Sequence, residues 1–179
     1  MTSFLSNFLQ GSSYSRRNYR QRTKFHVGPF LRRTYALCGK IPGGLWVFSK
    51  LIGLMAPYSG SINARVVYLR EGFAEVHLKD RRAVRNHLRC VHAVALMNLA
   101  EMATGLGICF ALPHGARGIL THLEISYYEK ARGPLKARAI CPIISKVEEE
   151  KAYVVEGTIT NSEAEIVAVA KATWLIGSC

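Results

Sequence analysis

One long apolar stretch constrains the fold of this 179-residue chain more than any other feature. Residues 93–112 contain no lysine or arginine and are long enough to cross a bilayer. Glu101 lies near their middle, however, where a charged side chain costs about 2.5–3.5 kcal/mol on membrane-insertion scales. Alanine, leucine and methionine favour helix, and a helix that is apolar on every side is surrounded by protein. The sequence therefore predicts a buried central helix over about residues 93–108 and no membrane span.

The segments around this helix carry strand and turn patterns. Residues 62–68 and 74–78 alternate around a turn at Gly72 and predict a hairpin, and residues 41–60 predict an N-terminal helix that ends near Pro57. Four further strands are predicted at residues 119–128, 135–143, 152–160 and 166–176. A hairpin, one buried helix and then consecutive long strands indicate an α+β fold, in which an antiparallel sheet wraps around one long central helix.

The net charge of +12 is concentrated at the N-terminus. Residues 1–40 hold eight lysines and arginines and no acidic residue, so they supply two thirds of that charge. This argues against a specific nucleic-acid surface on the rest of the chain. The segment is also rich in serine and arginine, with Phe4, Leu5, Phe8 and Leu9 at helical spacing. Two interpretations stay open: a mitochondrial transit peptide, or a disordered basic extension on a cytoplasmic protein.

The domain boundary and the cellular compartment follow from composition. At 49% hydrophobic residues, the chain has enough apolar side chains for one ordinary core, which we assign to residues 41–179 after an extension of residues 1–40. Five cysteines are scattered without a CxxC pair, which is typical of a reducing intracellular compartment. His87, Cys90 and His92 lie close together in sequence, but no fourth ligand accompanies them, so we expect no metal site.

Three polar residues at fixed spacing carry the main functional signal. Asn86, His92 and Glu101 form the pattern N-x5-H-x8-E. Because of this pattern, residues 41–177 resemble the hotdog-fold acyl-CoA thioesterases. The likeness is greatest to the phenylacetate-degradation-type branch and to related thioesterase-like domains of unassigned substrate. The chain departs from that branch after the histidine, where Ala93 and Val94 replace a common Gly-Gly pair.

The resemblance implies a site and a reaction. Glu101 would act as general base or nucleophile in hydrolysis of an acyl-CoA or another acyl thioester, while Asn86 and His92 orient and polarise the thioester. The backbone N–H groups of Ala93 and Val94, at the positive end of the helix, would stabilise the oxyanion. Glu101 lies nearly three turns beyond His92, so one chain does not join them. Hotdog domains resolve this by forming a homodimer, or a dimer of dimers, whose sites draw residues from both chains.

Each assignment has an alternative. Glu101 could be a structural acid that pairs with a buried arginine or caps another element. Asn98, one turn earlier on the helix, could orient substrate or only satisfy a backbone group. A hotdog dehydratase or hydratase also stays open, because His87 precedes Glu101 by fourteen residues. A noncatalytic acyl-binding or assembly module is the remaining alternative. No cofactor is implied by any of these hypotheses.

Two basic groups are candidates for the phosphates of CoA. The first precedes the central helix, and the second flanks the Gly133-Pro134 turn; the residues are Arg81, Arg82, Arg85 and Arg89, then Lys130, Arg132, Lys136 and Arg138. Either group could bind the nucleotide or form an ordinary solvated face. The sequence leaves the acyl chain and the choice between CoA and a carrier protein open.

Overall fold

The computed structural model describes residues 26–178. Four α-helices occur in this part of the chain: α1 (Val27–Cys38), α2 (Gly44–Met55), α3 (Pro57–Ser61) and α4 (Ala93–Ala111), with a short 3₁₀ turn at Arg82–Val84. The strands are β1 (Arg65–Arg70), β2 (Phe73–Leu78), β3 (Ala116–Tyr127), β4 (Leu135–Ile140), β5 (Lys151–Thr160) and β6 (Ile166–Ser178). They form one antiparallel sheet in the order β1-β2-β4-β5-β6-β3.

The sheet wraps around α4, which confirms the predicted α+β architecture. All six strands contact this helix, and most of its residues are buried, among them Leu99, Ala103 and Ile108. The helix is the one described element that is long and apolar enough to cross a membrane. Its apolar surface is instead mostly covered by the protein itself, so α4 forms the centre of the core.

Helix α1 corrects the predicted domain boundary at residue 41. Leu31 is only 2% exposed, and the Arg32 guanidinium donates to the Leu112 carbonyl at 3.0 Å, just beyond the end of α4. Gly28 packs so closely on the Leu112 carbonyl that a Cβ would lie 2.2 Å from its oxygen. The packed domain therefore begins by Val27, and only residues 1–25 of the predicted extension, including its apolar set near Phe4, lie outside the described residues.

The predicted N-terminal helix is divided in two. Helix α2 ends at Met55 and α3 begins at Pro57, because the residue before proline is disfavoured in helical conformation. Ala56 accordingly has φ −125° and ψ 81°. The two helices then meet through Gly53 and Gly60, where a Cβ on Gly60 would lie 2.6 Å from the Gly53 carbonyl oxygen. This contact folds α3 back over the core.

Strand β3 forms one edge of the sheet and is irregular at its middle. Its pairing with β6 shifts register between Leu120 and His122, which leaves Thr121 as an extra residue. Strict alternation along the sequence predicts that Ile119, Thr121, Leu123, Ile125 and Tyr127 share the packed face of this strand, and the bulge makes that prediction wrong for Ile119. That side chain is 45% exposed, while Leu120 is half-buried against the core.

Candidate functional site

The Glu101 carboxylate is half-buried in the middle of α4. Its Oε2 accepts a hydrogen bond from the Ser59 hydroxyl at 3.3 Å, and it makes no salt bridge with any residue in the range 26–178. Burial raises the pKa of Glu101, and the hydrogen bond from Ser59 offsets part of this rise. The buried arginine of the structural alternative is therefore not beside Glu101 in the described part of the chain, while the other form of that alternative, a contact with another element, corresponds to the Ser59 bond from α3.

Asn98 lies one turn before Glu101 and connects α4 to α3. Its Nδ2 donates to the Tyr58 carbonyl at 3.1 Å, so the expectation that it satisfies a backbone group is met. The side chain is only 7% exposed, and its Oδ1 is buried without a hydrogen-bond partner among residues 26–178. This oxygen belongs to the residue one helical turn before Glu101, and the predicted role of Asn98 in orienting substrate stays a hypothesis.

His92 caps the N-terminus of α4. Its Nδ1 accepts the Val94 N–H at 3.1 Å, which corrects the expectation that this N–H is free for an oxyanion. A neutral imidazole that accepts at Nδ1 carries its proton on Nε2. His92 is exposed, so this Nε2–H is a donor at the surface. The Ala93 N–H makes no hydrogen bond with a described residue, so it can still donate at the helix N-terminus, and its role at an oxyanion stays a prediction.

Asn86 organises the loop before this cap. Its Oδ1 accepts from the backbone N–H groups of Leu88 at 2.9 Å and Cys90 at 3.3 Å. Its backbone also pairs with Cys90 and Arg89, and Arg89 takes the left-handed conformation with φ 57°. The carbonyl end of the Asn86 side chain is therefore occupied, while its Nδ2 makes no hydrogen bond within the described residues and can donate.

The sequence-predicted residues form two groups within one chain. Asn86, His92 and Ala93 lie around the start of α4, and Asn98 and Glu101 lie farther along it. At 1.5 Å per residue, the nine residues from His92 to Glu101 correspond to about 13.5 Å along the helix axis. A single chain therefore does not bring His92 and Glu101 together around one substrate carbonyl.

The two predicted basic groups meet beside the first of these sites. The Val91 N–H donates to the Ala131 carbonyl at 2.8 Å, and the Gly133 N–H donates to Asp80 Oδ2 at 3.0 Å. These bonds hold the turn at residues 130–134 against the loop that leads to His92.

Three of the eight predicted basic residues already have partners. Arg85 pairs with Asp80, Arg138 pairs with Glu75, and Arg81 donates to the Ser61 carbonyl. The side chains of the other five make no hydrogen bond or ion pair within residues 26–178: Arg82, Arg89, Lys130, Arg132 and Lys136.

Sequence reasoning missed two residues that contact the candidate site. Ser59 bonds Glu101 across 42 positions, and the Tyr127 hydroxyl donates to the Ala93 carbonyl at 3.1 Å. Partial burial raises the pKa of Tyr127. Serine near a proline and a tyrosine at a strand end carry no signal of these contacts, because only the tertiary fold brings them to α4.

Two cavities open on the surface formed by residues 26–178. A groove of about 400 Å³ opens beside Ser59 and is bordered by Leu54, Pro57 and Met102. A larger cavity of about 500 Å³ lies near Lys146 and contains none of the predicted site residues, so we assign it no role. No cluster of three histidine, cysteine, aspartate or glutamate side chains suited to a metal ion occurs in this range.

The comparisons with known proteins identify relatives of this fold. The family described as "Domain of unknown function (DUF4442)" matches residues 44–176. The crystal structure of the genomics target APC5556 is 32% identical, with a TM-score of 0.72, over 84% of this chain and 99% of that chain. A protein of unknown function from Pseudomonas aeruginosa, described as a probable thioesterase, is 20% identical with a TM-score of 0.68, over 78% of this chain and 97% of that one.

A thioesterase from Haemophilus influenzae has a similar fold at lower sequence identity. It is 15% identical with a TM-score of 0.60, over 68% of this chain and 82% of that one. No protein of curated function matches the chain. These likenesses confirm the hotdog fold and the predicted resemblance to thioesterase-type hotdog proteins.

Proposed function

Because the chain belongs to the DUF4442 family and shares the hotdog fold, we propose that it hydrolyses an acyl-CoA or another acyl thioester, with Glu101 as general base or nucleophile. The observation that carries this proposal is the environment of Glu101. A half-buried carboxylate in an apolar helix, with a hydroxyl partner and no salt bridge in the described range, is costly to the fold. A catalytic role would explain why this destabilising residue is present, because ionisable groups with perturbed pKa values cluster at functional sites.

The raised pKa of Glu101 suits either chemical role. As a general base, the carboxylate takes a proton from water while the water oxygen attacks the thioester carbonyl carbon. The C–S bond then breaks, and the leaving thiolate takes up the proton, which gives a carboxylic acid and a free thiol. As a nucleophile, the carboxylate attacks the carbonyl carbon and displaces the thiolate, which leaves a mixed anhydride on Glu101. Water then opens this anhydride to the free acid and the Glu101 carboxylate, and a proton from that water converts the thiolate to the thiol. A base is most effective when its pKa lies near the working pH, and burial moves Glu101 in that direction.

The groups that polarise the carbonyl would come from the partner chain of a homodimer. His92 Nε2–H, Asn86 Nδ2–H and the Ala93 N–H are donors that the fold leaves available. The long edge strand β3, with its exposed Ile119, supports a dimer in which the sheet continues into a second copy. This arrangement would place Glu101 of one protomer opposite these donors of the other.

The basic cluster beside His92 would bind the phosphates of CoA. Lys130 and Arg132 are exposed and flank the turn that packs against the Val91 loop. Replacing both by glutamate should raise KM for an acyl-CoA roughly tenfold. KM for an acyl-N-acetylcysteamine, which lacks the nucleotide, should stay unchanged. A matched double reversal at the exposed Arg33 and Lys40 should change neither, and equal losses with both substrates would contradict phosphate binding.

A panel of acyl-CoAs with purified protein tests the proposed reaction. Free thiol is detected with a chromogenic disulfide, and enoyl-CoA hydration is followed in parallel. Thiol release that depends on Glu101 supports hydrolysis. Hydration without thiol release would indicate the dehydratase or hydratase alternative, and acyl-CoA binding without turnover would indicate the noncatalytic module.

A further inference from the structure

We propose that Ser59 is a positioning residue, whose hydroxyl fixes the orientation of the Glu101 carboxylate and leaves the second carboxylate oxygen for the reaction. The inference rests on the proposed function of Glu101. It adds α3, a helix that supplies none of the sequence-predicted residues, to the site.

The two oxygens of the carboxylate have different surroundings. Oε2 accepts the Ser59 hydroxyl at 3.3 Å, while Oε1 has no hydrogen-bond partner among residues 26–178. Oε1 lies near Gly105, where a Cβ would be 3.7 Å from this oxygen and 3.0 Å from the Trp174 ring. The Trp174 ring occupies the space that a side chain at Gly105 would need. Oε1 is thus the carboxylate oxygen without a hydrogen-bond donor in the described range, and a carboxylate held through Oε2 leaves Oε1 to interact with a water molecule or a thioester carbonyl.

Helix α3 is held in place without the Ser59 hydroxyl. Asn98 Nδ2 donates to the Tyr58 carbonyl, the Arg81 guanidinium donates to the Ser61 carbonyl, and both distances are 3.1 Å. The close contact between the backbones of α2 and α3 fixes the helix from the other side. Losing one side-chain oxygen at position 59 should therefore free the carboxylate without displacing α3.

The hydrogen bond also affects the charge state of the carboxylate. A hydroxyl that donates to the ionised form stabilises it, so Ser59 lowers the pKa of Glu101 against the larger effect of burial. Without the hydroxyl, the pKa of Glu101 should rise further. A base that must be ionised would then lose activity at a higher pH than in the wild type.

Ser59→Ala tests the proposal, and Ser61→Ala is the matched control on the same short helix, because the Ser61 hydroxyl donates to the Tyr58 carbonyl. We expect Ser59→Ala to lower kcat for thioester hydrolysis about fivefold, with KM unchanged and the acidic limb of the kcat profile moved to higher pH. Ser59→Thr should restore both values. Ser59→Cys, a weak donor of similar size, should shift them as Ser59→Ala does, which covers the case in which alanine perturbs folding.

Carboxyl ¹³C NMR gives a second readout that does not depend on turnover. Glu101→Gln identifies the Glu101 signal, and its pKa should rise in Ser59→Ala but not in Ser61→Ala. An active wild type with unchanged kcat, pH profile and Glu101 pKa in Ser59→Ala would overturn this inference and leave the proposed function intact. An inactive wild type would overturn both.

Discussion

Replacing Glu101 by glutamine removes the proposed chemistry with little change in shape. Glutamine has nearly the same size and can still accept the Ser59 hydrogen bond, but it neither takes a proton from water nor attacks as a carboxylate. Removing a general base typically lowers the rate by about 10²–10⁴, which corresponds to roughly 3–5 kcal/mol in the barrier. We expect a loss of this size in kcat, with acyl-CoA binding retained.

The structure also sets the expected effect of this substitution on stability. A hydrogen bond to a neutral acceptor is worth about 1 kcal/mol less than one to a charged acceptor, and relief from burying a charge acts in the opposite direction. The free energy of unfolding of Glu101→Gln should therefore lie within about 1 kcal/mol of the wild type, or about 2–4 °C in Tm. A structural acid paired with a buried cation would instead cost about 3–5 kcal/mol.

The assay compares turnover, thermal unfolding and solution mass in the same preparations. His92→Ala and Asn86→Ala should lower kcat by about 10 to 10³ each, as expected for single donors to an oxyanion. Wild-type turnover in a folded Glu101→Gln protein would refute the catalytic role. If Glu101→Gln lowered Tm strongly but its folded fraction stayed fully active, the role of Glu101 would be structural.

The raised pKa of Glu101 gives this prediction a pH dependence. Activity requires the ionised form, so hydrolysis should fall on acidification with a midpoint above the value of about 4.3 for free glutamate. A carboxyl whose pKa is raised by folding contributes stability that is fully present below the unfolded-state pKa and is lost as pH rises through the folded-state pKa. The Tm of Glu101→Gln relative to wild type should therefore increase as pH rises through the midpoint of the activity profile.

The remaining predictions concern assembly and the N-terminal part of the chain. Leu31→Ala should cost about 2–5 kcal/mol of unfolding free energy in a denaturant titration, whereas Leu37→Ala, at a position 57% exposed, should cost little; equal effects would contradict the packing of α1. Light scattering should give twice the 19.9 kDa chain mass, and Ile119→Lys on β3 should weaken that dimer; a wild-type monomer at micromolar concentration would contradict the shared site. Residues 1–25 fused to a fluorescent reporter should direct it to mitochondria, and a diffuse cytoplasmic signal would favour the alternative extension.

The sequence predicted the elements whose patterns are long and regular. The apolar run gave α4 at Ala93–Ala111, and alternation gave β5 at Lys151–Thr160, both within three residues of their predicted ends. The prediction for β4 extended to residue 143, but the strand ends at Ile140, since Pro142 cannot donate to a ladder. No glycine or proline at Thr121 indicates the bulge. Alternation alone therefore could not assign every residue of β3 to the correct face of the sheet.

Helix α1 shows how local charge can obscure a packing pattern. The buried Leu31 lies with Val27, Phe30 and Tyr35 at helical spacing on the face that packs against the core, and Gly28 and the Arg32 guanidinium add close contacts just beyond the end of α4. In sequence, Arg32 belongs to a basic tail; in the fold, it satisfies the Leu112 carbonyl, and the Phe110 carbonyl also accepts from it. The basic residues of this segment therefore suggested an unpacked extension, whereas contacts with distant residues make it a helix of the domain.

The same distinction applies to the candidate site. The spacing of Asn86, His92 and Glu101 identified α4, but spacing along one helix also keeps His92 and Glu101 about 13.5 Å apart. The start of the helix has donors without a base around His92, and its middle has a base with one hydroxyl donor at Glu101. If the protein hydrolyses thioesters, activity must depend on a second protomer as directly as on the carboxylate. A dimer-disrupting substitution on β3 should then lower kcat in proportion to the monomer fraction while α4 stays folded.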